Sequence, residues 1–166
     1  MKITVIVATH KKYRMPHEKC YLPLHVGRGI GRDIGFAGDD TGESISWKNP
    51  YYCELTGLYW MWKNVDSDYM GLVQYRRYFA GKQKGRSGDR FTRILSEKEM
   101  RGLLRDNDII LPKKRKYYIE SLYTHYAHTH YAEHLDCTRE ILKKKYPEYV
   151  SSFDLVMKRT YGHMFN

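Results

Sequence analysis

Two adjacent carboxylates, Asp39 and Asp40, stand between glycines in the stretch Gly38-Asp39-Asp40-Thr41-Gly42. Neighbouring carboxylates in a loop can take a metal, accept a ribose hydroxyl or deprotonate a water, and they can also simply cap turns. A second cluster is cationic: Gln74-Tyr75-Arg76-Arg77 follows directly on an apolar run. Guanidinium groups hold phosphate oxygens through paired, charge-assisted hydrogen bonds and stay charged near neutrality. Two arginines can therefore replace a metal ion as the clamp on a diphosphate; the alternative is one arginine turned outward and one in a salt bridge. His10, Lys11 and Lys12 follow another apolar run and suit an anion, or form a solvated turn.

Other patterns carry less. His130-Tyr131-Ala132-Glu133-His134 matches H-x-x-E-H, and on a helix its histidines would share a face with Glu133 placed to activate a water. Only Asp136, Glu140, Glu148 and Asp154 follow as acidic ligands, and His125 and His128 among the tyrosines make a chance match easy, so no catalytic zinc site is expected. Asp66-Ser67-Asp68 has the D-x-D spacing that can hold a divalent metal on a diphosphate, but it precedes its strand and belongs at the wrong sheet edge. Gly27, Gly29 and Gly31 show neither the G-x-G-x-x-G spacing nor a G-K-[ST] ending.

These groups must be positioned by the elements around them. Residues 2–9, KITVIVAT, read as a strand buried on both faces, and residues 69–75 as a second apolar strand running into Arg76. Ligands of open α/β sheets gather at the carboxyl ends of the strands, where both cationic clusters would fall. Residues 27–44 read as loop. Asn49-Pro50 opens a helix with Asn49 as its cap; Leu55, Leu58, Tyr59 and Trp62 fall on one buried face, and the helix ends near Asn64. A polar, mobile loop is expected over residues 81–93. Ser96 and Glu99 have capping-box spacing, and Leu95 and Met100 hydrophobic-staple spacing. Residues 108–111 read as a short strand, and residues 121–134, 136–146 and 147–158 as helices. Strands alternating with helices predict an α/β layer fold with a largely parallel sheet and a helical C-terminal third.

The chain has 166 residues, 29 Lys+Arg against 19 Asp+Glu, a net charge of +10 and three cysteines. At this length one domain is expected, without a disulfide or metal staple. The scattered cysteines and the lack of any C-x-x-C pair exclude a disulfide framework and a zinc ribbon, and favour a reducing compartment. No apolar stretch approaches the roughly 20 residues of a membrane span. The charge calls for anionic partners: nucleic acid, a phosphorylated substrate or an anionic membrane surface. Sixteen tyrosines offer flat faces for sugars, bases or protein partners, or line helix faces as half-buried core.

Asp39-Asp40-Thr41-Gly42-Glu43-Ser44-Ile45-Ser46, the helix start Asn49-Pro50-Tyr51-Tyr52-Cys53-Glu54-Leu55-Thr56, the run Leu58-Tyr59-Trp60-Met61-Trp62-Lys63-Asn64 and Gly71-Leu72-Val73-Gln74-Tyr75-Arg76-Arg77-Tyr78-Phe79 resemble bacterial capsular and exopolysaccharide glycosyltransferases. That family, long a domain of unknown function, includes galactofuranosyltransferases. Val7-Ala8-Thr9-His10-Lys11-Lys12 is similar to its first strand, while Gln74 stands where its arginine motif usually begins with histidine. The resemblance implies a GT-A-like α/β fold, with residues 1–112 as the nucleotide-sugar-binding part and residues 113–166 as a helical part. The family pattern is expected to continue beyond Asn166, leaving exposed apolar surface for which a homodimer is one remedy.

On this resemblance the chain transfers a sugar, galactofuranose among the candidates, from a nucleoside-diphosphate sugar, a UDP-sugar foremost, to a glycan or lipid-linked acceptor. The donor would be held by Thr9, His10, Lys11, Asn49, Tyr52, Tyr75, Arg76 and Arg77, with Tyr52 and Tyr75 stacking on base or sugar. Asp39 or Asp40 would contact the ribose or sugar hydroxyls or act as catalytic base. No cofactor is required; a divalent cation, Mn or Mg, is the less favoured alternative. The expected location is cytoplasmic and peripheral on the inner membrane face, through the basic runs 113–116 and 143–145. The rival readings are a catalytically silent truncated transferase and a nucleic-acid-binding module. The second is disfavoured because the charge clusters lie in separate loops without a helix-turn-helix or RNP-like motif.

Overall fold

The uncharged, β-branched run after Lys2 forms strand β1 (Ile3–Thr9), buried along nearly its whole length. The computed structural model describes residues 1–82 and 89–163. In it β1 is an interior strand of a four-stranded sheet with β2 (Tyr21–His25), β3 (Ala37–Gly38) and β4 (Tyr69–Gln74), ordered β3-β2-β1-β4. All three pairings are parallel: Thr9 lies opposite His25, His25 opposite Gly38 and Ala8 opposite Gln74. The α/β class with a parallel sheet is therefore the one observed, and the four carboxyl ends share one edge.

Strand β2 is absent from the sequence reading because Pro23 sits in its middle. Val26 N–H donates to Thr9 O while His25 O accepts from Asp39 N–H, so alternate residues of β2 face β1 and β3. This alternation turns the Pro23 nitrogen away from β1. Since β3 pairs only with Leu24 and His25, no ladder bond is lost there.

Alternation along β1 feeds two cores. Ile3, Val5 and Val7 pack with Val73, Leu95, Met100 and Leu104 on one face; Ile6 and Ala8 pack with Leu24, Val26 and Met61 on the other. Helix α3 (Glu97–Leu103) covers the first face and carries the expected capping box, with Ser96 N–H donating to Glu99 Oε2 at 2.9 Å and Glu99 N–H to Ser96 Oγ at 3.3 Å. The staple residues Leu95 and Met100 are both buried.

The single helix expected from Asn49 to Asn64 is two helices, α1 (Asn49–Tyr52) and α2 (Leu55–Asn64), broken at Cys53, whose φ is 46°. Asn49 is the first residue of α1 rather than its cap. The inward face also differs from the expected one: Leu55, Leu58 and Trp62 are 51, 38 and 64% exposed, while Thr56, Gly57 and Met61 are buried. The cause lies at Gly57, where a Cβ would come within 2.7 Å of Val26 Cγ1 and 3.1 Å of Leu24 Cδ2. Only a residue without a side chain lets the helix rest this close to the sheet.

The chain divides into two compact units, Met1–Ile110 and Leu111–Asn166. Residues 108–111 form no strand, and residues 83–88 of the expected loop lie outside the described residues. The second unit holds α4 (Leu122–Thr129), α5 (Glu133–Lys145), α6 (Val150–Lys158) and the short antiparallel pair β5 (Arg115–Lys116) and β6 (Tyr161–Gly162). Tyr117, Leu122, Leu135 and Met157 are its buried hydrophobic residues among those described, and Arg139 joins α5 to α6 through two bonds to Asp154, at 2.7 and 2.8 Å. The helix expected over residues 121–134 ends at Thr129, so His130 caps α4 while His134 lies in α5. The H-x-x-E-H residues therefore do not share a helical face. His130 Nδ1 instead meets Thr129 Oγ1 at 2.9 Å, and His134 Nδ1 meets the Tyr126 hydroxyl at 3.0 Å. No helix among the described residues is long and apolar enough to cross a membrane.

Candidate functional site

Parallel strands deliver the sequence-selected residues to one edge, and the loops after each strand decide which side chains stay available. After β1, the Thr9 hydroxyl donates to Lys11 O at 2.6 Å and accepts from Lys11 N–H at 3.1 Å. Thr9 is buried and its hydroxyl serves the turn, whereas His10 and Lys11 are exposed beyond it. After β4, Gln74 N–H donates to Arg77 O and Arg77 N–H to Gln74 O, so the chain reverses with Tyr75 and Arg76 at the tip. The Gln74 amide donates to Glu54 and ties the start of α2 to this edge.

Tyr75 is only 6% exposed, with His10 at 5.5 Å, Tyr13 at 5.2 Å and the Arg76 guanidinium at 5.1 Å from its ring. Its ring serves as the floor on which His10 and Arg76 rest. Arg76 and Arg77 are both exposed, and among the described residues neither forms an ion pair with a carboxylate.

Beyond β2 and β3 the two aspartates separate in role. Asp39 is fully buried and accepts from Gly27 N–H at 3.0 Å, Arg28 N–H at 3.2 Å, Thr56 Oγ1 at 2.6 Å and Ser46 Oγ. Both its oxygens are taken, so it joins the loop after β2 to the segments before and within α2. In this arrangement Asp39 ties loops together, while Asp40 beside it is exposed. The Asn49 amide donates to Cys53 O at 2.8 Å and Thr56 Oγ1 at 3.1 Å, bridging the helix break and feeding the Asp39 network. Asp40 is exposed, with Arg28 Nε 3.9 Å away. Tyr52 is 47% exposed on α1, and no hydrogen bond or ring contact joins it to the cations among the described residues.

Two residues of this edge carried no sequence signal. His25 was hidden with β2; it is 3% exposed, its Nδ1 has no partner among the described residues, and burial lowers its pKa against the opposing pull of Asp39. Arg28 stood in a glycine-rich loop with no pattern to single it out. It reaches Phe36 O at 3.3 Å and Asp33 Oδ2 at 3.0 Å, and its stem needs Gly38, where a Cβ would lie 2.1 Å from Arg28 Cδ.

The carboxylates here suit a divalent cation poorly. Asp39 is saturated, Asp40 adjoins Arg28, Glu54 holds Gln74, and among the described residues no three His, Cys, Asp or Glu side chains converge. Asp66-Ser67-Asp68 lies at the opposite edge: Asp68 Oδ2 accepts from Lys2 N–H at 2.6 Å, and Ser67 Oγ meets Thr4 Oγ1 at 2.6 Å.

A parallel β3-β2-β1-β4 sheet with helices on its faces and an exposed cationic carboxyl edge defines a GT-A-like fold. The apo structure of the WbbM bifunctional glycosyltransferase matches this chain with a TM-score of 0.84 and 30% identity over 100% of its length. The chain spans 33% of that protein. A family model described as "Domain of unknown function (DUF4422)" matches residues 4–166, and the chain belongs to that family. No curated protein sequence matches it.

Proposed function

We propose that the protein is a glycosyltransferase of cell-surface polysaccharide assembly, using a nucleoside-diphosphate sugar, a UDP-sugar foremost, as donor. The single observation that carries this reading is the pair of exposed, unpaired guanidinium groups, Arg76 and Arg77, after β4, on the edge where His10 and Lys11 follow β1. The similarity to a bifunctional glycosyltransferase over the whole chain supports it. Galactofuranose remains within the proposal as donor sugar, and a glycan or lipid-linked saccharide as acceptor.

In this mechanism the bond between the sugar's anomeric carbon and the diphosphate breaks, and its electron pair leaves on the phosphate. His10, Lys11, Arg76 and Arg77 stabilise that developing charge. Asp40, exposed and not saturated as Asp39 is, accepts the proton of the acceptor hydroxyl as the new bond forms. Asp39, Thr9 and Asn49 position the loops that carry these groups, and Tyr52 offers its exposed ring to base or sugar.

Calorimetry of UDP with and without EDTA tests the arginine clamp. Binding is expected to persist under chelation and to weaken by about 1.5–3 kcal/mol in Arg77→Ala, the contribution of a hydrogen bond to a charged group. Loss of binding on chelation, with Arg77→Ala unaffected, would overturn it. Transfer assays with a panel of nucleotide sugars then identify the donor.

A further inference from the structure

Next to the turn that carries Tyr75 and Arg76, the first unit contains a hollow of about 320 Å³. Its volume falls within the roughly 300–1,000 Å³ range of small-molecule sites. Most of its lining is of two kinds: aromatic side chains, Tyr13, Tyr78 and Phe91 among them, and the guanidinium-bearing Arg76, Arg90 and Arg93. Among the described residues no acidic side chain lines it. Flat apolar walls match the faces of a sugar ring, and three arginines demand negative charge on the same ligand.

Arg90 and Arg93 stand on a fixed segment. Residues 90–93 form a 3-10 turn capped by Asp89, whose Oδ1 accepts from Phe91 N–H at 3.0 Å. Arg14 holds that cap from the β1 side: its Nη2 meets Asp89 Oδ2 at 2.7 Å, and its guanidinium lies 4.3 Å from the Phe91 ring centre. Gly81 N–H donates to Arg93 O at 2.7 Å, and Leu95 N–H to Phe79 O at 2.8 Å, so the C-terminal end of the turn is pinned. Arg14 consumes Asp89, leaving Arg90 and Arg93 exposed without a carboxylate partner among the described residues. The Tyr78 hydroxyl is buried without a hydrogen-bond partner among those residues.

We infer that this hollow is a binding site for an anionic saccharide, a sugar ring bearing a phosphate or carboxylate. The ring lies against the aromatic side chains, and the anion is held by Arg76, Arg90 and Arg93. The role of that saccharide as acceptor rests on the transferase reading; the binding itself does not. Arg76 belongs to both sites, so a ligand in the hollow lies next to the donor, as an acceptor must.

Titration of the full chain with glucose 1-phosphate, glucuronate, glucose, inorganic phosphate and UDP tests the inference. At least one of the two anionic sugars is expected to bind at least about tenfold more tightly than glucose or inorganic phosphate, and which one does distinguishes phosphate from carboxylate. Arg90→Ala and Arg93→Ala should each weaken it about tenfold or more, by loss of a charged hydrogen bond, while changing UDP affinity less than twofold. Both residues are exposed, so their loss leaves the fold intact. Anionic sugars binding no better than glucose or inorganic phosphate, or Arg90→Ala weakening UDP as much as the sugar, would overturn the inference. Failure of UDP to bind, with the sugar and its arginine dependence intact, would instead overturn the donor reading alone.

Discussion

Asp39 and Asp40 are neighbours in sequence and opposites in environment, and their substitutions should separate accordingly. Asp39 accepts four hydrogen bonds with no exposure to water. Asp39→Asn replaces an oxygen acceptor with an N–H donor aimed at other donors, leaving buried groups unsatisfied. The expected loss of unfolding free energy is about 1–3 kcal/mol, read from denaturant melts. Asp40→Asn, at an exposed position, should change stability by less than about 0.5 kcal/mol while lowering the transfer rate if Asp40 is the base. Equal destabilisation by the two would contradict the division of roles. The sequence showed the pair but not which member turns inward. That choice depends on Ser46 and Thr56, whose hydroxyls reach Asp39 only once α2 is docked.

At the scale of elements, what was legible is what local chemistry fixes. The capping box of α3 and the strands β1 and β4 need only their own residues, and all three were readable. The inward face of α2 was not, because it is decided by Gly57 meeting Val26 and Leu24 across the sheet; nor was β2, whose proline is harmless only where β3 falls short. The residues at the carboxyl ends of the strands were readable as types, since strand ends carry them there, while His25, Arg28 and the arginines of the 3-10 turn needed tertiary placement. The cap of α3 has a pH signature. Hydrogen bonds from Ser96 N–H and then Lys82 N–H hold the Glu99 carboxyl below its ordinary value of 4.5. A depressed folded-state value means the contribution is complete above about 4.5 and is lost as pH falls through the folded value. Urea melts between pH 6 and pH 3, an interval of roughly this width, should show the Glu99→Gln protein losing less stability than the parent. Ser96→Ala should cost about 0.5–2 kcal/mol at neutral pH, and a Glu99→Gln profile parallel to the parent's would remove Glu99 from the account.

For the whole molecule the governing quantity is its net charge of +10. Part of that charge lies in the second unit, where Lys143, Lys144 and Lys145 form the last turn of α5 and Lys113 and Lys114 precede β5. Lysines in the last turn of a helix suit its dipole, which explains the run without any partner. A lipid surface is the partner that would use it, and lipid-linked acceptors are part of the proposed function. The two accounts differ in what salt and lipid composition do. An anionic bilayer attracts each nearby lysine across a Debye length that shrinks from about 10 Å at 0.1 M salt to about 3 Å at 1 M. Co-sedimentation with vesicles is therefore expected to rise with the fraction of anionic lipid and to disappear as salt approaches that upper limit. Changing Lys143, Lys144 and Lys145 together to Gln should weaken binding by roughly an order of magnitude or more, with helix content preserved. Equal binding to neutral and anionic vesicles, or no effect of the triple substitution, would return these lysines to a purely intrahelical role and leave membrane contact without support.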